Sequence, residues 1–217
     1  MSDCQRSRDV NGPRFDLAFR DLAAERLAAF DRRAAEPGDL RHAAVACLLV
    51  AAADGSVGFV ITRRSPRTPS HPGQWALPGG RVHDGEEPVD AALRETEEEI
   101  GLRLGHGDVV GVLDDYPTRS GHLITPVVVW AGASPAFRPD PREVSELFVE
   151  SYATFDRPDL PWELAIPESD RPVIRVPLRD TFVHAPTAAV LWQCFDVVVR
   201  GRATRVSHYD QPVFAWR

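Results

Sequence analysis

The chain has no lysine: all 25 of its basic residues are arginine. Contacts to phosphate must therefore come from guanidinium forks or from backbone N–H groups. It also lacks any apolar run approaching the roughly 20 residues of a membrane-spanning helix, which excludes a helical membrane span. The N-terminal stretch carries Asp3, Asp9, Asp16 and Asp21 and has no cleavable apolar core, so a secretory signal is not expected and the cytoplasm is. Cysteine is scarce. Cys4, Cys47 and Cys194 lie far apart without metal-type spacing and read as buried or spectator thiols. Positive charge is not in excess either, and a formal net charge of −7 argues against a general nucleic-acid or membrane surface. Internal repeats and low-complexity tracts are absent. What remains, 217 residues with 43% hydrophobic content, is enough to bury one sizeable core, giving one domain with extensions.

Along the chain, residues 15 to 35 show helical spacing at Leu22, Leu27 and Phe30, broken by Pro37-Gly38. This predicts an N-terminal helical extension over residues 1–38, ahead of a main domain over 39–217. The apolar runs 42–52 and 58–62 flank Asp54-Gly55, a hairpin signal. A polar, proline-rich loop from Arg63 to Gln74 leads into Leu77-Pro78-Gly79-Gly80. Strands are expected over 109–116, 123–131 and 145–151, and a helix over 187–201. Mixed strands flanked by helices predict an α/β sandwich.

The segment from Gly80 to Leu102 is the most informative. Pro88 suits the first turn of a helix and Gly101 the left-handed position just past its end, which predicts a helix from Pro88 to Ile100. At about 100° per residue, Val89, Ala92, Leu93, Thr96 and Ile100 share one stripe, and Glu95, Glu98 and Glu99 share another beside it. Glu97 falls on the far side as a solvated charge. Three carboxylates this close repel one another unless a cation is supplied. Hard Mg2+ takes oxygen ligands, keeps several waters and shares itself between one or two carboxylates and substrate phosphates. Water attack on a diphosphate is the chemistry such an ion serves. Arg94, four residues before Glu98 and able to reach back to Glu86, is expected to orient carboxylates. An exposed acidic helix face is the competing reading, and it leaves the preceding glycines, the Gly101 stop and the placement of Arg94 unexplained.

The same residues resemble the Nudix box, G-x5-E-x7-R-E-U-x-E-E-x-G-U, at Gly80, Glu86, Arg94, Glu95, Glu98, Glu99, Gly101 and Leu102, with Thr96 standing where an aliphatic residue is expected. The resemblance implies an α/β/α sandwich with a mixed central sheet and the box as a loop-helix-loop beside it. It implies Mg2+ or Mn2+ as cofactor, held by Glu95, Glu98 and Glu99 with Glu86 in support. The catalytic set is then Glu98, Glu99, Glu95 and Arg94. The general base comes from the box or from outside it, where Glu143 and Glu146 are candidates.

Val60 to Gly80 is similar to the signature of the coenzyme A pyrophosphatase branch of that family, fitting at Ile61, Thr62, Arg64, Ser65, Gly73, Pro78, Gly79 and Gly80. Pro69 stands where that signature has Arg, and Leu77 where it has Phe. Residues 121–132 and 143–151 are similar as well. The branch implies hydrolysis of coenzyme A or acyl-coenzyme A to 3′,5′-ADP and 4′-phosphopantetheine or its derivative. Arg63, Arg64, Arg67, Gly79, Gly80 and Trp75 become the substrate-binding candidates, and His71 is read as a surface residue of the same loop. The partner is then a small nucleoside diphosphate substrate, with no nucleic acid or membrane; a homodimer is compatible with the reading. Two alternatives stay open: hydrolysis of ADP-ribose, a dinucleotide or a nucleoside triphosphate, which Pro69 keeps in play, and a Nudix-fold sensor that binds nucleotides without hydrolysing them, which a full acidic set disfavours.

Overall fold

A computed structural model describes residues 12–68 and 71–216. In chain order the elements are α1 (Leu17–Ala29), β1 (Arg41–Ala51), β2 (Val57–Arg64), β3 (Trp75–Ala76), β4 (Gly79–Arg81), α2 (Pro88–Ile100), β5 (Val109–Val112), β6 (Tyr116–Pro117), β7 (His122–Gly132), β8 (Val144–Ser151), β9 (Trp162–Ile166), β10 (Ser169–Leu178), β11 (Thr181–His184) and α3 (Thr187–Cys194), the last continued by a π-helical turn over Phe195–Val199.

The central sheet is mixed and eight-stranded. β1 and β7 pair in parallel from Arg41↔His122 onward, while β1 pairs antiparallel with β2 at one end and with β4 at the other. β8 lies antiparallel along β2. The apolar run at 42–52 is continuous because β1 is covered on both faces. Ala44, Ala46, Leu48 and Val50 meet Ala91, Ala92, Leu93 and Ile100 of α2, whereas Cys47 and Leu49 face the core formed by α1, α3 and the π-helical turn. The result is an α/β/α sandwich, as the resemblance implies.

Several elements differ from expectation. α1 is shorter than the 15–35 segment, and its buried side chains are Phe19, Ala23 and Leu27, with Phe30 behind them; Leu22 is 39% exposed and off that stripe. The stripe that wins is spaced four and four, and includes an alanine that a search for large apolar residues passes over. The 109–116 stretch is interrupted: β5 ends at Val112, and Asp114 and Asp115 turn inward to bind Arg205 and Arg32 before β6 begins. A second, antiparallel sheet in the order β9-β10-β11 was not anticipated. Its inner side, including Ile174, Val176, Leu178 and Val183, joins the core with α3. Cys47 and Cys194 are both fully buried there, where the Tyr152 hydroxyl donates to Cys194 Sγ at 3.1 Å. Cys4, Asp3, Asp9 and Pro69 lie outside the described residues. Among the described residues, no helix is long and apolar enough to cross a membrane.

Candidate active site

α2 runs from Pro88 to Ile100, the bounds expected from its proline start and glycine stop, and Gly101 takes the left-handed conformation at φ 65°. Thr96 is fully buried and donates its hydroxyl to the Ala92 carbonyl at 2.7 Å, so a polar side chain sits in an apolar contact without an unmet hydrogen bond.

The carboxylates of α2 do not form one solvent-facing row. Arg94 gathers three of the acidic residues: Glu86 at 2.9 and 3.1 Å, Glu95 at 2.8 Å and Glu98 at 3.1 Å, and it also donates to the Arg81 carbonyl at 2.9 Å. Glu98 remains 55% exposed at the outer rim. Glu86 is held well below the usual carboxylate range, at about 2, chiefly by its hydrogen bonds from Arg94. Glu99 behaves in the opposite way. It is 4% exposed, takes a long contact from the Gly79 N–H at 3.3 Å, and lies 3.9 Å from Arg64. Burial, reinforced by the neighbouring charges of Glu95 and Glu143, pushes its carboxyl up to about 8 despite Arg64.

Glu95 and Glu99 both open onto a cleft of about 420 Å3. Its floor is the alternate residues Arg41, Ala43 and Val45 of β1 with His122 and Ile124 of β7. These point away from α2, since the intervening Ala44 and Ala46 pack against that helix. Gly79 and Gly80 explain how α2 still reaches the cleft. They pair with Val45 and Ala44 on β1, and a Cβ at Gly80 would fall 2.3 Å from Glu95 Oε1. Two residues without side chains thus leave a gap at the sheet edge through which the two glutamates reach the other side. A Cβ at Gly79 would lie 2.3 Å from the Ala44 carbonyl oxygen, so this close pairing itself requires glycine.

Of the remaining candidates, Arg64, Trp75 and Glu143 line the cleft, and so does His71, which sits at φ 54°. The Glu143 carboxylate makes no ion pair or hydrogen bond among the described residues. Arg63 is turned away. Its guanidinium packs 4.8 Å over the Trp75 ring and lies 3.9 Å from Glu146, facing a separate depression beside Phe182, His184 and Phe214. Arg67 is exposed outside the cleft. No three His, Cys, Asp or Glu side chains converge to enclose an ion among the described residues.

The sequence reading missed the opposite half of the cleft. Arg41 and His122 stand at its far end, with Thr118 and Ser120 beside them. Pro186, Thr187 and Val190 from α3 and its lead-in form one wall, together with Gln211 and Ala215. Only the parallel β1–β7 pairing and the return of the C-terminal segment bring these residues together, and neither leaves a local signal.

Comparisons with known proteins bear on this geometry. Two curated relatives, each described as "Uncharacterized Nudix hydrolase NudL", come from Escherichia coli strain K12 / DH10B and Shigella boydii serotype 18. Each is 36% identical to this chain over 110 residues, covering 50% of this chain and 57% of the relative, so the chain spans little more than half the length of the relatives it matches. Among solved structures, the Nudix hydrolase RenU from M. Smegmatis is 28% identical with a TM-score of 0.41, covering 52% of this chain and 71% of that one. A MutT NUDIX hydrolase from Burkholderia pseudomallei is 24% identical with a TM-score of 0.43, covering 70% and 96%. The NUDIX domain model matches residues 40–175, a span that holds the glycine gap, α2 and both cleft glutamates, and on that match the chain belongs to the Nudix family.

Proposed function

We propose that this chain is a metal-dependent pyrophosphohydrolase that cleaves the diphosphate of coenzyme A or acyl-coenzyme A. The observation that carries the hydrolase reading is Glu99: a carboxylate buried at the end of an open cleft, beside Glu95 and Glu143, with Arg64 as its nearest cation.

Nudix hydrolases generally need a divalent metal, usually Mg2+ or Mn2+, and the donor set fits one. The oxygens are hard, two carboxylates face the same space, and burial with the neighbouring charges of Glu95 and Glu143 raises the Glu99 carboxyl to about 8, a penalty that a bound cation would relieve. Glu95 and Glu99 are the residues that would hold the ion. Water and substrate phosphate oxygens would complete its shell, with Glu98 as a further ligand if it leaves Arg94. When bound, the ion would polarise a phosphoryl oxygen, lower the pKa of water and neutralise charge on the departing phosphate. Arg94 orients Glu95 and ties Glu86 to the β4 end, and Arg64 presents a guanidinium fork to the diphosphate. Glu143, which lines the cleft and whose carboxylate makes no ion pair or hydrogen bond among the described residues, is our candidate to accept the proton of the attacking water, in preference to Glu146, which lies 3.9 Å from Arg63.

Coenzyme A is favoured because segments similar to that branch meet in this cleft, Glu143 coming from the stretch 143–151. Arg64, Leu77, Gly79 and Gly80 come from residues 60–80, and His122 and Ile124 from 121–132. Leu77, Ile124, Val190 and Ala215 supply apolar surface for an aliphatic arm.

The experiment is incubation with Mg2+ or Mn2+ and coenzyme A, ADP-ribose, NADH or nucleoside triphosphates, with products identified by mass. Release of 3′,5′-ADP and 4′-phosphopantetheine is expected. Consumption of ADP-ribose with coenzyme A left intact would overturn the substrate assignment, and no turnover of any compound would favour a nucleotide sensor.

A further inference from the structure

The cleft is charged at both ends, with opposite signs. Glu95, Glu99 and Glu143 occupy one end. At the other, Arg41 and His122 face each other as register partners at the starts of β1 and β7, and His71 is close enough to His122 for their charges to interact. A strand rises ~3.3 Å per residue, so the four steps from Arg41 to Val45, the partner of Gly79, separate the two ends by about 13 Å at the backbone.

The basic end is built and open. The Arg41 backbone N–H donates to Gly121 at 2.9 Å, and its guanidinium donates to the Ser120 carbonyl at 3.2 Å. The turn itself is braced by Thr118, whose Oγ1 accepts from the His122 N–H at 2.8 Å, and by the Ser120 N–H donating to Gln211 Oε1 at 2.9 Å. Among the described residues no carboxylate lies within ion-pair distance of Arg41, whereas Arg64 at the acidic end lies 3.9 Å from Glu99. His71 holds a left-handed backbone that a non-glycine residue adopts at some cost, a kind of strain concentrated at ligand sites. Partial desolvation, with Arg41 and His71 beside it, keeps His122 below the ordinary histidine range, and partial desolvation with Arg64 nearby lowers His71 as well, so Arg41 supplies the fixed positive charge of this end.

We propose that Arg41, flanked by His122 and His71, binds a second anionic group of the substrate, a phosphomonoester set apart from the scissile diphosphate. The inference rests on the coenzyme A reading only for the identity of that substrate, which carries such a group on its ribose; the subsite itself rests on the geometry. It also moves recognition of the remote phosphate away from Arg63 and Arg67, which do not face the cleft.

Two diphosphates that differ only in this group, coenzyme A and 3′-dephospho-coenzyme A, test it. The wild-type protein is expected to favour coenzyme A at least tenfold in kcat/KM, mostly through KM, and Arg41→Ala is expected to collapse that ratio at least tenfold. A ratio near one in the wild type, or one unaltered by Arg41→Ala, would overturn the proposal. Arg41 is exposed, so the variant should fold, and thermal unfolding checks this. If neither compound is hydrolysed, the substrate reading fails but the subsite remains testable by calorimetric titration of the metal-free protein with inorganic phosphate. Binding at least tenfold weaker in Arg41→Ala than in wild type supports it; equal binding overturns it.

Discussion

Gly80 and Glu95 contend for one space: a Cβ on residue 80 would lie 2.3 Å from Glu95 Oε1 and 2.4 Å from its carboxyl carbon. The glutamate carboxylate therefore enters the cleft only because residue 80 has no side chain. Gly80→Ala should displace the end of a flexible side chain at little cost in stability, about 1 kcal/mol or less, while lowering kcat at least tenfold by moving a carboxylate proposed to hold the metal. Gly79→Ala should differ, since its Cβ meets the Ala44 carbonyl oxygen and Val45 Cα, backbone atoms of a buried strand. It is expected to destabilise by about 2 kcal/mol or more. Chemical denaturation beside steady-state kinetics separates the two variants, and an active Gly80→Ala would remove the proposed role of the gap.

Glu99 ties stability to pH in an unusual direction. Its carboxyl is raised in the fold from 4.5 to about 8, so between those values the folded protein keeps a proton that the unfolded chain has released. Stability of the metal-free protein should then fall as pH rises through that window, and a divalent cation should restore it at the alkaline end. Glu99→Gln should flatten the fall, with a difference on the order of a few kcal/mol near pH 8, while cutting kcat at least 10²-fold. Thermal unfolding of chelated protein from pH 5 to 8 is the check. Equal slopes for wild type and variant would show that Glu99 does not carry the effect.

Thr96 departs from the aliphatic residue of the box and yet is fully buried. Its hydroxyl donates to the Ala92 carbonyl, which is already the acceptor position of an intrahelical bond. Removing the hydroxyl strands no partner, so Thr96→Val should change stability by less than about 1 kcal/mol and leave kcat/KM within about twofold. A loss of several kcal/mol by urea unfolding would mean that the hydroxyl has a structural duty beyond this bond.

How far the sequence could be read follows from where the signals are local. The bounds of α2 came from Pro88 and Gly101 because each answers to the backbone of its own turn. Burial of β1 on both faces was visible as an unbroken apolar run. The second sheet was hidden because Pro167, Pro172 and Pro177 interrupt the strand alternation of residues 162–184; Pro167 falls in the turn between β9 and β10, Pro172 at the register shift between Ser169 and Val173, and Pro177 opposite Phe182, placements that only the fold supplies. Glu95, Glu98 and Glu99 were legible as a group from helical phase, but phase alone could not tell that Arg94 holds Glu98 outside while Glu99 is buried. Arg41 and His122 carry no local signal in the sequence. Their meeting depends on a parallel pairing between residues 81 positions apart.

Arg94 is the residue whose loss should spread furthest. It bridges Glu86, Glu95 and Glu98 and is itself only 25% exposed, so Arg94→Ala leaves two largely buried carboxylates, Glu86 and Glu95, without their cation. Partial exposure tempers the cost, which is expected at about 1–3 kcal/mol near neutral pH. The pH dependence gives the sharper signature. Glu86 is depressed from 4.5 to about 2, so its contribution is present above 4.5 and is lost as pH falls towards 2. Arg94→Ala should abolish that acid-side loss, and its stability curve should converge on the wild type as the pH approaches 2. Denaturant midpoints measured from pH 2 to 6 decide it, because a destabilisation equal at every pH would point to lost packing instead of the lost ion pair.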